Sequence, residues 1–425
     1  MLTVLGDRLG GSIAPASAHT VGSLAVTVRG SWVRAARGAM LLDEATGAPA
    51  QTVFAEMTAL AASTGALNLG QGFPDDDGPA EVLDAARDAI AAGANQYPPG
   101  VGIPDLRQAI AEHQKRFYGL DVDPTTEVIV TAGATEALTA TILALTEPGD
   151  EIVTFEPFYD SYAAVAGLGG ARHVTVPLRH PDFSPDHDEL RAAITDRTRL
   201  ILINTPHNPT GTVLDRETLA LIVELAHRHD AIIVTDEVYE HLVFDGTHLP
   251  VATLPGAAER TVTISSAGKT FSVTGWKVGW LVAPAEIARA ILAVKQYLSF
   301  SGGAPFQPAV ALGLRLPDER FDALRRDLRE RRDLLVDGLS TAGLAPVTPA
   351  AGYFVIADAA AHGASDAAEF CRDLPHRAGV VGVPVTAFVR PAQRAGYRSL
   401  VRFAFCKRRD VLEEAAERLS ALRPR

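Results

Sequence analysis

From residue 127 onward, the hydrophobic residues of this chain form short clusters that alternate with longer amphipathic segments. The clusters are rich in Val and Ile, whereas the segments between them carry Ala, Leu and Arg at helical spacing. This alternation is typical of a parallel sheet with crossover helices and predicts an α/β fold. The predicted strands are Glu127–Thr131, Glu151–Phe155, His173–Pro177, Leu200–Asn204, Ala231–Thr235, Thr261–Ser265 and Gly279–Val282. The predicted helices are Thr135–Leu145, Arg216–His229 and Ala285–Tyr297.

A strongly charged segment of helical period, Asp318–Ala342, is expected to connect this region to a C-terminal lobe. Within that lobe, the pattern predicts strands at Gly352–Ala357 and Leu400–Phe405. We therefore expect a large domain over residues 81–315 and a small domain over residues 316–425, with an N-terminal arm at residues 49–80 contributing to the small domain.

Residues 1–48 are expected to form a disordered extension. The first forty residues are rich in Gly, Ser, Ala and Arg, and Asp7 is their single acidic residue. A secretory signal is not expected, because no basic segment leads into an apolar core of sufficient length. Met40 is an alternative start, since a more ordinary acidic and apolar pattern follows it.

The composition excludes several functional classes. The chain has 425 residues, 47% of them hydrophobic, and a net charge of -12, which argues against nucleic acid or an anionic membrane surface as the main partner. No apolar run is long enough to span a membrane. Cys371 and Cys406 are far apart and lack metal-ligand spacing, so we expect two reduced thiols in a cytoplasmic protein and no metal site.

One lysine lies in a segment suited to covalent chemistry. Lys269 follows a predicted strand and is surrounded by small and hydroxyl-bearing residues. A lysine that forms an imine needs space beside its amine, nearby cations that lower its pKa, and donors for an anionic group. Gly268 provides the space, Ser266 a donor and Lys277 a second cation. The alternative is a solvated lysine in a flexible loop, which would be favoured for a lysine considered alone.

Polar residues follow several predicted strands at their carboxyl ends, where open α/β sheets bind ligands. Gly133, Ala134 and Thr135 open a helix whose N-terminus suits a phosphate. Asn208 lies in a Pro/Asn-rich segment after another strand and could bind a cofactor hydroxyl. Simple turns explain both segments equally well when each is taken alone.

Two further charged residues occupy apolar surroundings. Asp236 directly follows an apolar strand and needs a compensating partner such as a protonated ring nitrogen, with Tyr239 nearby as a donor. Arg402 lies in the alternating strand 401–405 and suits a bidentate contact with a carboxylate. The alternatives are a helix N-cap for Asp236, a packing aromatic for Tyr239 and a structural salt bridge for Arg402.

Together these segments resemble the fold type I, class I/II aminotransferases over residues 51–423. The resemblance implies a mostly parallel seven-stranded sheet, a smaller α/β domain built from the N- and C-terminal segments, and pyridoxal 5'-phosphate as cofactor. It implies that Lys269 holds the cofactor as an imine and shuttles the proton at the substrate α-carbon. The other implied cofactor contacts are Asp236 at the ring nitrogen, Asn208 and Tyr239 at the ring oxygen, Gly133, Ala134, Thr135, Ser266 and Lys277 at the phosphate, and Tyr159, or alternatively Phe158, stacked on the ring.

Two N-terminal segments extend the resemblance to substrate binding and assembly. Gly72, in the run 68–75, corresponds to the glycine that touches the substrate carboxylate beside Arg402. Tyr97, in the run 95–100, corresponds to a tyrosine that reaches the cofactor phosphate of a partner subunit, which implies a homodimer with shared active sites. Phe54 stands where kynurenine-type relatives tend to have tryptophan, so it is expected to affect the accepted side chains.

The resemblance is strongest to the kynurenine and methionine aminotransferase subgroup and to actinobacterial N-succinyldiaminopimelate aminotransferases. It implies transfer of an amino group from an L-amino acid to a 2-oxo acid, in lysine biosynthesis if the donor is succinylated. An acidic acyl donor needs a second cation, for which Arg390 and His241 are candidates. A C–S β-lyase shares every cofactor residue and remains open, whereas a non-catalytic regulator is disfavoured by Lys269 and by the acidic composition.

Overall fold

The computed structural model describes residues 28–422. Its helices are α1 (Trp32–Gly38), α2 (Val53–Thr64), α3 (Ala80–Ala91), α4 (Pro104–Tyr118), α5 (Gly133–Leu145), α6 (Asp160–Gly169), α7 (His187–Ala193), α8 (Arg216–Arg228), α9 (Ala267–Thr270), α10 (Ala285–Lys295), α11 (Phe306–Leu314), α12 (Asp318–Thr341), α13 (Ala367–Ala378) and α14 (Arg409–Ser420). Its strands are β1 (Leu67–Asn68), β2 (Val128–Ala132), β3 (Glu151–Glu156), β4 (Arg172–Pro177), β5 (Thr198–Asn204), β6 (Ile232–Asp236), β7 (Thr261–Ser266), β8 (Val278–Val282), β9 (Ala345–Val347), β10 (Phe354–Asp358), β11 (Val380–Val381), β12 (Val383–Pro384) and β13 (Leu400–Ala404).

A seven-stranded sheet forms the centre of the molecule, in the order β2-β8-β7-β6-β5-β3-β4. Strands β3 to β7 run parallel, and β8 is antiparallel to both of its neighbours. Strands β3 and β7 are buried along their whole length, as expected of a sheet covered by helices on both faces. The predicted α/β fold with a mostly parallel seven-stranded sheet is therefore confirmed.

The parallel register brings the carboxyl ends of the central strands to one edge of this sheet. Asn204 at the end of β5 is paired with Asp236 at the end of β6. Ser266 ends β7, and the short helix α9 follows it at once. Side chains from three consecutive strands of the sheet thus meet where ligands bind in open α/β folds.

The C-terminal part of the chain forms a second, antiparallel sheet of four strands, β12-β13-β10-β9. Helices α12 and α14 pack against each other closely enough that a Cβ on Gly338 would lie 2.6 Å from the Cβ of Ala416. The N-terminal segment joins this region, because β1 pairs in parallel with β11. This pairing supports the division into an arm at residues 49–80, a large domain at 81–315 and a small domain at 316–425, which stays a proposal.

The expectation of disorder does not hold for residues 28–48, whereas residues 1–27 lie outside the described part. Helix α1 packs on α6, and Arg34 donates to the carbonyl oxygens of Gly167 and Leu168 at 3.3 and 3.1 Å. The two backbones touch because glycines stand at the crossing: a Cβ on Gly38 would lie 2.1 Å from the carbonyl oxygen of Ala163. The glycines that indicated flexibility thus permit a close helix contact.

No helix within residues 28–422 is long and apolar enough to cross a membrane.

Candidate active site

A cavity of about 270 Å³ opens at the carboxyl ends of β5, β6 and β7. Thirteen of the predicted site residues line it. These are Phe54, Gly72, Gly133, Ala134, Thr135, Tyr159, Asn208, Asp236, Tyr239, Ser266, Lys269, Lys277 and Arg402. They come from segments spread between residues 54 and 402, so their convergence is a property of the fold.

Lys269 lies on α9, directly after β7, and its amine points into the cavity. Its Nζ donates to the carbonyl oxygen of Gly72 at 2.7 Å and lies 5.7 and 5.1 Å from the ring centres of Tyr239 and Tyr353. Burial lowers the pKa of this amine to about 8. About a tenth of the amine is therefore unprotonated at pH 7, far more than for an ordinary lysine, and this is the form that acts as nucleophile and base.

Asp236 ends β6 at the floor of the cavity. The hydroxyl of Tyr162 donates to its Oδ2 at 2.7 Å, and the backbone N–H of Val238 donates to Oδ1 at 3.4 Å. Burial raises the pKa of this carboxyl to about 6, although the hydrogen bond from Tyr162 and the charge of Lys269 act in the opposite direction. A cationic N–H group in the cavity would supply the partner that the carboxylate lacks.

The N-terminus of α5 forms a cradle for an anion. Gly133 adopts a φ of 72°, and the Nζ of Lys277 lies 3.3 Å from the position that its Cβ would take. Gly279 on β8 brings the strand against this turn, because a Cβ there would lie 2.5 Å from the carbonyl carbon of Gly133. Backbone N–H groups, a helix dipole, the hydroxyls of Ser266 and Thr135 and a lysine together fit a phosphate.

Arg402 is buried in β13 at the opposite side of the cavity. It donates to Asn208 Oδ1 at 3.2 Å and to the carbonyl oxygen of Gly70 at 2.8 Å, while its Nε has no partner in the described chain. Its guanidinium stacks at 3.9 Å on the ring centre of Phe354 and at 4.6 Å on that of Phe388. Burial lowers its pKa to about 10, so the guanidinium stays charged near neutral pH and can donate to a ligand carboxylate.

A family model described as aminotransferase class I and II matches residues 64–419. The chain belongs to the class I and II aminotransferases. Their dependence on pyridoxal 5'-phosphate makes this protein a pyridoxal phosphate-dependent transaminase.

Individual relatives agree with this family. The probable N-succinyldiaminopimelate aminotransferase DapC of Mycobacterium tuberculosis is 55% identical over 386 residues, which cover 88% of this chain and 97% of the relative. Methionine aminotransferase of Escherichia coli is 42% identical over 373 residues, covering 87% of this chain and 96% of the relative. The solved structure of N-succinyldiaminopimelate aminotransferase from Mycobacterium tuberculosis matches with a TM-score of 0.85 and 55% identity, covering 88% of this chain and 98% of that one.

The cavity of this aminotransferase fits the cofactor by three independent features. The buried Asp236 suits a protonated pyridine nitrogen, the cradle at Gly133 and Gly279 suits a phosphate, and Lys269 suits an aldehyde carbon. Of the two candidates for ring stacking, Tyr159 lines the cavity, whereas Phe158 is buried against His173 at 4.7 Å between ring centres. Tyr159 therefore remains the proposed stacking residue.

Three residues lie elsewhere. Tyr97 is 85% exposed and contacts Phe300 at 5.9 Å between ring centres. Neither of the two candidates for a second substrate cation lines the cavity. Arg390 donates to Nδ1 of His173 at 2.6 Å and stacks on Phe158, and His241 pairs with His113 at 2.7 Å between their Nε2 atoms. Both side chains bind residues that are distant in sequence, and the spacing of residues along the chain does not indicate these contacts.

Sequence reasoning also missed residues that shape the aminotransferase site. Tyr162 lies about one turn after Tyr159 at the start of α6, a spacing that places both on one helix face. Its hydroxyl holds Asp236. Asn204 is the last residue of β5, and the sequence pattern indicates no role for it beyond ending the strand. In the structure its side-chain amide donates to the carbonyl oxygen of Asp236 at 2.7 Å.

Proposed function

We propose that this aminotransferase acts on N-succinyl-LL-diaminopimelate, with glutamate and 2-oxoglutarate as the second donor and acceptor pair. The observation that carries this proposal is the 55% identity over 386 residues to a probable N-succinyldiaminopimelate aminotransferase, since such identity extends over nearly the whole folded chain. The reaction would place the protein in lysine biosynthesis. Methionine and kynurenine remain the next candidate donors, because relatives named for those activities are 42% and 38% identical.

The roles proposed for the site residues follow from their positions. Pyridoxal phosphate, when bound, supplies an electron sink for the negative charge that develops at the substrate α-carbon. Asp236 would keep a proton on the ring nitrogen, and Tyr239 and Asn208 would hold the ring oxygen. The amine of Lys269 would take the proton from the substrate α-carbon and hold it for the next transfer. Arg402 orients the α-carboxylate together with Asn208 and the backbone at Gly72.

Lys269 has the acid–base balance that this role requires. Burial lowers its pKa to about 8, while the neighbouring carboxylate of Asp236 acts in the opposite direction. The amine can therefore both lose and hold a proton near neutral pH, as an efficient proton shuttle must. Tyr353 fixes the backbone at this point, since its hydroxyl donates to the carbonyl oxygen of Lys269 at 2.8 Å.

We also propose a cytoplasmic homodimer in which Tyr97 contacts the phosphate in the partner's site. Two observations support this proposal. For the dimer, Tyr97 is a large, exposed aromatic residue outside its own cavity. For the cytoplasm, Cys371 and Cys406 are free and buried, as is usual in a reducing compartment. The proposed small-molecule partners are the amino acid and the 2-oxo acid, with no nucleic acid or membrane.

A donor screen with the cofactor-loaded enzyme tests the proposed substrate. N-succinyl-LL-diaminopimelate, glutamate, glutamine, methionine, kynurenine and cystathionine are each offered, and the cofactor absorbance and the oxo-acid product are measured. We expect N-succinyl-diaminopimelate to give the highest kcat/KM and 2-oxoglutarate to restore the original spectrum. Lys269→Ala, the control, should give no oxo-acid with any donor.

Other outcomes of the same screen identify the alternatives. A higher kcat/KM with methionine or kynurenine would contradict the succinylated donor and keep the transaminase. Release of pyruvate and ammonia from cystathionine, with no requirement for an oxo-acid acceptor, would indicate a C–S β-lyase instead.

A further inference from the structure

The succinylated donor has chemistry that the catalytic cavity does not match. It carries one α-carboxylate at the reacting centre and two more carboxylates at its far end. The cationic residues that line the cavity are Lys269, Lys277 and Arg402, and each already has a proposed role there. Given the proposed function, the far end of the donor requires cations in another place.

A second cavity of about 240 Å³ adjoins the first across two aromatic rings. Phe54 lines both cavities, and Phe388 lines the second. The two rings lie 5.8 Å apart between centres, and both stack on the guanidinium of Arg402. A substrate whose carboxylate contacts Arg402 could therefore extend past Phe54 into the second cavity.

Two arginines line this second cavity. Arg394, in the segment before β13, is exposed and makes no ion pair or hydrogen bond with any described residue. Arg372 on α13 binds Glu56 at 2.6 and 3.5 Å, and this pair raises its pKa. An exposed, unpaired arginine beside an aromatic channel has all its donors available to a ligand carboxylate.

The helix that begins at this cavity also favours an anion. Residues 51–54 line the cavity and include the first residues of the 12-residue helix α2. Its N-cap Thr52 accepts a hydrogen bond from the N–H of Ala55, and the N–H groups before that residue have no partners within the helix. The helix dipole adds positive potential in the same direction as the arginines.

Two acids share the cavity, and neither cancels the charge of Arg394. Glu56 is neutralised by Arg372. Asp160, the residue after Tyr159, also lines this cavity, and burial raises the pKa of its carboxyl. A succinylated donor carries an amide N–H between its two distal carboxylates, and Asp160 is an acceptor for such a group.

We propose that Arg394, assisted by Arg372 and the N-terminus of α2, binds the succinyl carboxylate of an N-succinylated amino-acid donor that extends past Phe54. This subsite rests on the proposed function and makes it specific, since methionine and glutamine have no carboxylate that reaches it. Arg394 is thus a specificity-determining residue that takes no part in the chemical step.

A comparison of two donors with one variant tests the subsite. N-acetyl-diaminopimelate keeps the acyl amide and both α-carboxylates but lacks the terminal CH2–COO− of the succinyl group, so it reports everything except the contacts of that end. We expect Arg394→Gln to lose about five- to tenfold more kcat/KM with the N-succinyl donor than with the N-acetyl donor, mainly through KM. Arg394→Glu should increase this difference by adding a like charge.

Arg398→Gln is the matched control, because Arg398 is exposed in the same segment and does not line the cavity. It should leave the ratio between the two donors unchanged. Calorimetric binding of the N-succinyl donor to the Lys269→Ala protein, with and without Arg394→Gln, gives a second readout that is independent of turnover. We expect the dissociation constant to rise by about the same factor.

Equal losses with both donors, or an equal effect of Arg398→Gln, would overturn the subsite while leaving the proposed function intact. A wild-type enzyme that turns over methionine but not the N-succinyl donor would overturn the proposed substrate and the subsite together. The thermal stability and cofactor content of each variant distinguish these results from a folding defect.

Discussion

Asp236 illustrates how a single residue combines a cost to folding with a benefit to function. Its pKa is raised from 3.8 to about 6 by burial, so the folded, cofactor-free protein holds a proton that the unfolded chain loses between these pH values. The contribution of Asp236 to the free energy of unfolding is therefore most favourable below about pH 4. It declines as the pH rises to about 6 and stays low above that. A protonated cofactor nitrogen would offset this loss of stability by pairing with the buried carboxylate.

We predict that Asp236→Asn stabilises the cofactor-free enzyme at pH 8 by up to about 3 kcal/mol, the equivalent of the pKa shift. Turnover should fall by at least about a hundredfold, because the amide cannot keep a proton on the ring nitrogen. Chemical denaturation of cofactor-free protein from pH 4 to 8 measures the first effect. The gain should vanish at pH 4, and a variant less stable than wild type at pH 8 would contradict the assigned cause.

The sequence predicts the charge of Arg402 and its need for an anionic partner, but not the side chains that surround it. An arginine in an apolar strand predicts an anionic partner, and its unpartnered Nε agrees with that prediction. The rings that enclose it come from three distant segments and include Phe54. Strand periodicity identifies the charge, whereas only the tertiary fold shows which side chains cover it.

The close approach of β8 to the first turn of α5 sets the position of the backbone donors in the phosphate cradle. A Cβ on Gly279 would lie 2.5 Å from the carbonyl carbon of Gly133 and 2.7 Å from the backbone nitrogen of Ala134. Both contacts are with backbone, so a larger residue must displace the first turn of α5. The donors that face a phosphate would then move.

We predict that Gly279→Ala weakens pyridoxal phosphate binding about tenfold or more and destabilises the protein by about 1–3 kcal/mol. Gly275→Ala is the matched control, because a Cβ there meets nothing within 4 Å. Fluorescence titration of cofactor-free protein measures the affinity and thermal unfolding the stability. Equal affinities for the two variants would show that the cradle tolerates displacement of α5.

The elements predicted from the sequence were those with a strong local signal. Apolar runs such as Leu200–Asn204 are buried on both faces, and their period and length identify them without tertiary information. Helix α1 was missed because its stability comes from contact with α6, which Gly38 permits. The sequence could not place Arg390 and His241 for a similar reason, since distant partners set the direction of each side chain.

The whole molecule presents an exposed aromatic surface that supports the proposed dimer. Tyr97 and Tyr297 are each 85% exposed, and Phe300 is 49% exposed. The buried amine of Lys295 holds this surface together by donating to the carbonyl oxygens of Gly100 and Phe300 at 2.7 and 2.6 Å. Large aromatic residues exposed on ordered segments mark protein interfaces.

A complementation experiment tests whether the active sites are shared. Lys269→Ala removes the reactive amine of its own subunit, and Tyr97→Ala removes the phosphate contact that we assign to the partner's site. Each variant alone should be impaired, the first completely and the second most strongly at limiting cofactor. When the two are mixed in equal amounts and allowed to exchange subunits, half of the dimers are hybrids, and each hybrid contains one site with both residues intact.

We therefore predict that the mixture recovers high-affinity cofactor binding and turnover in about a quarter of all sites. Recovery requires that Lys269 and Tyr97 of one site come from different chains, because two residues of the same site and chain could not be restored by mixing. The hybrid is isolated with two affinity tags, and its activity is measured at limiting pyridoxal phosphate. A hybrid no more active than Tyr97→Ala would place Tyr97 outside the partner's site, and a fully active monomer would contradict shared sites altogether.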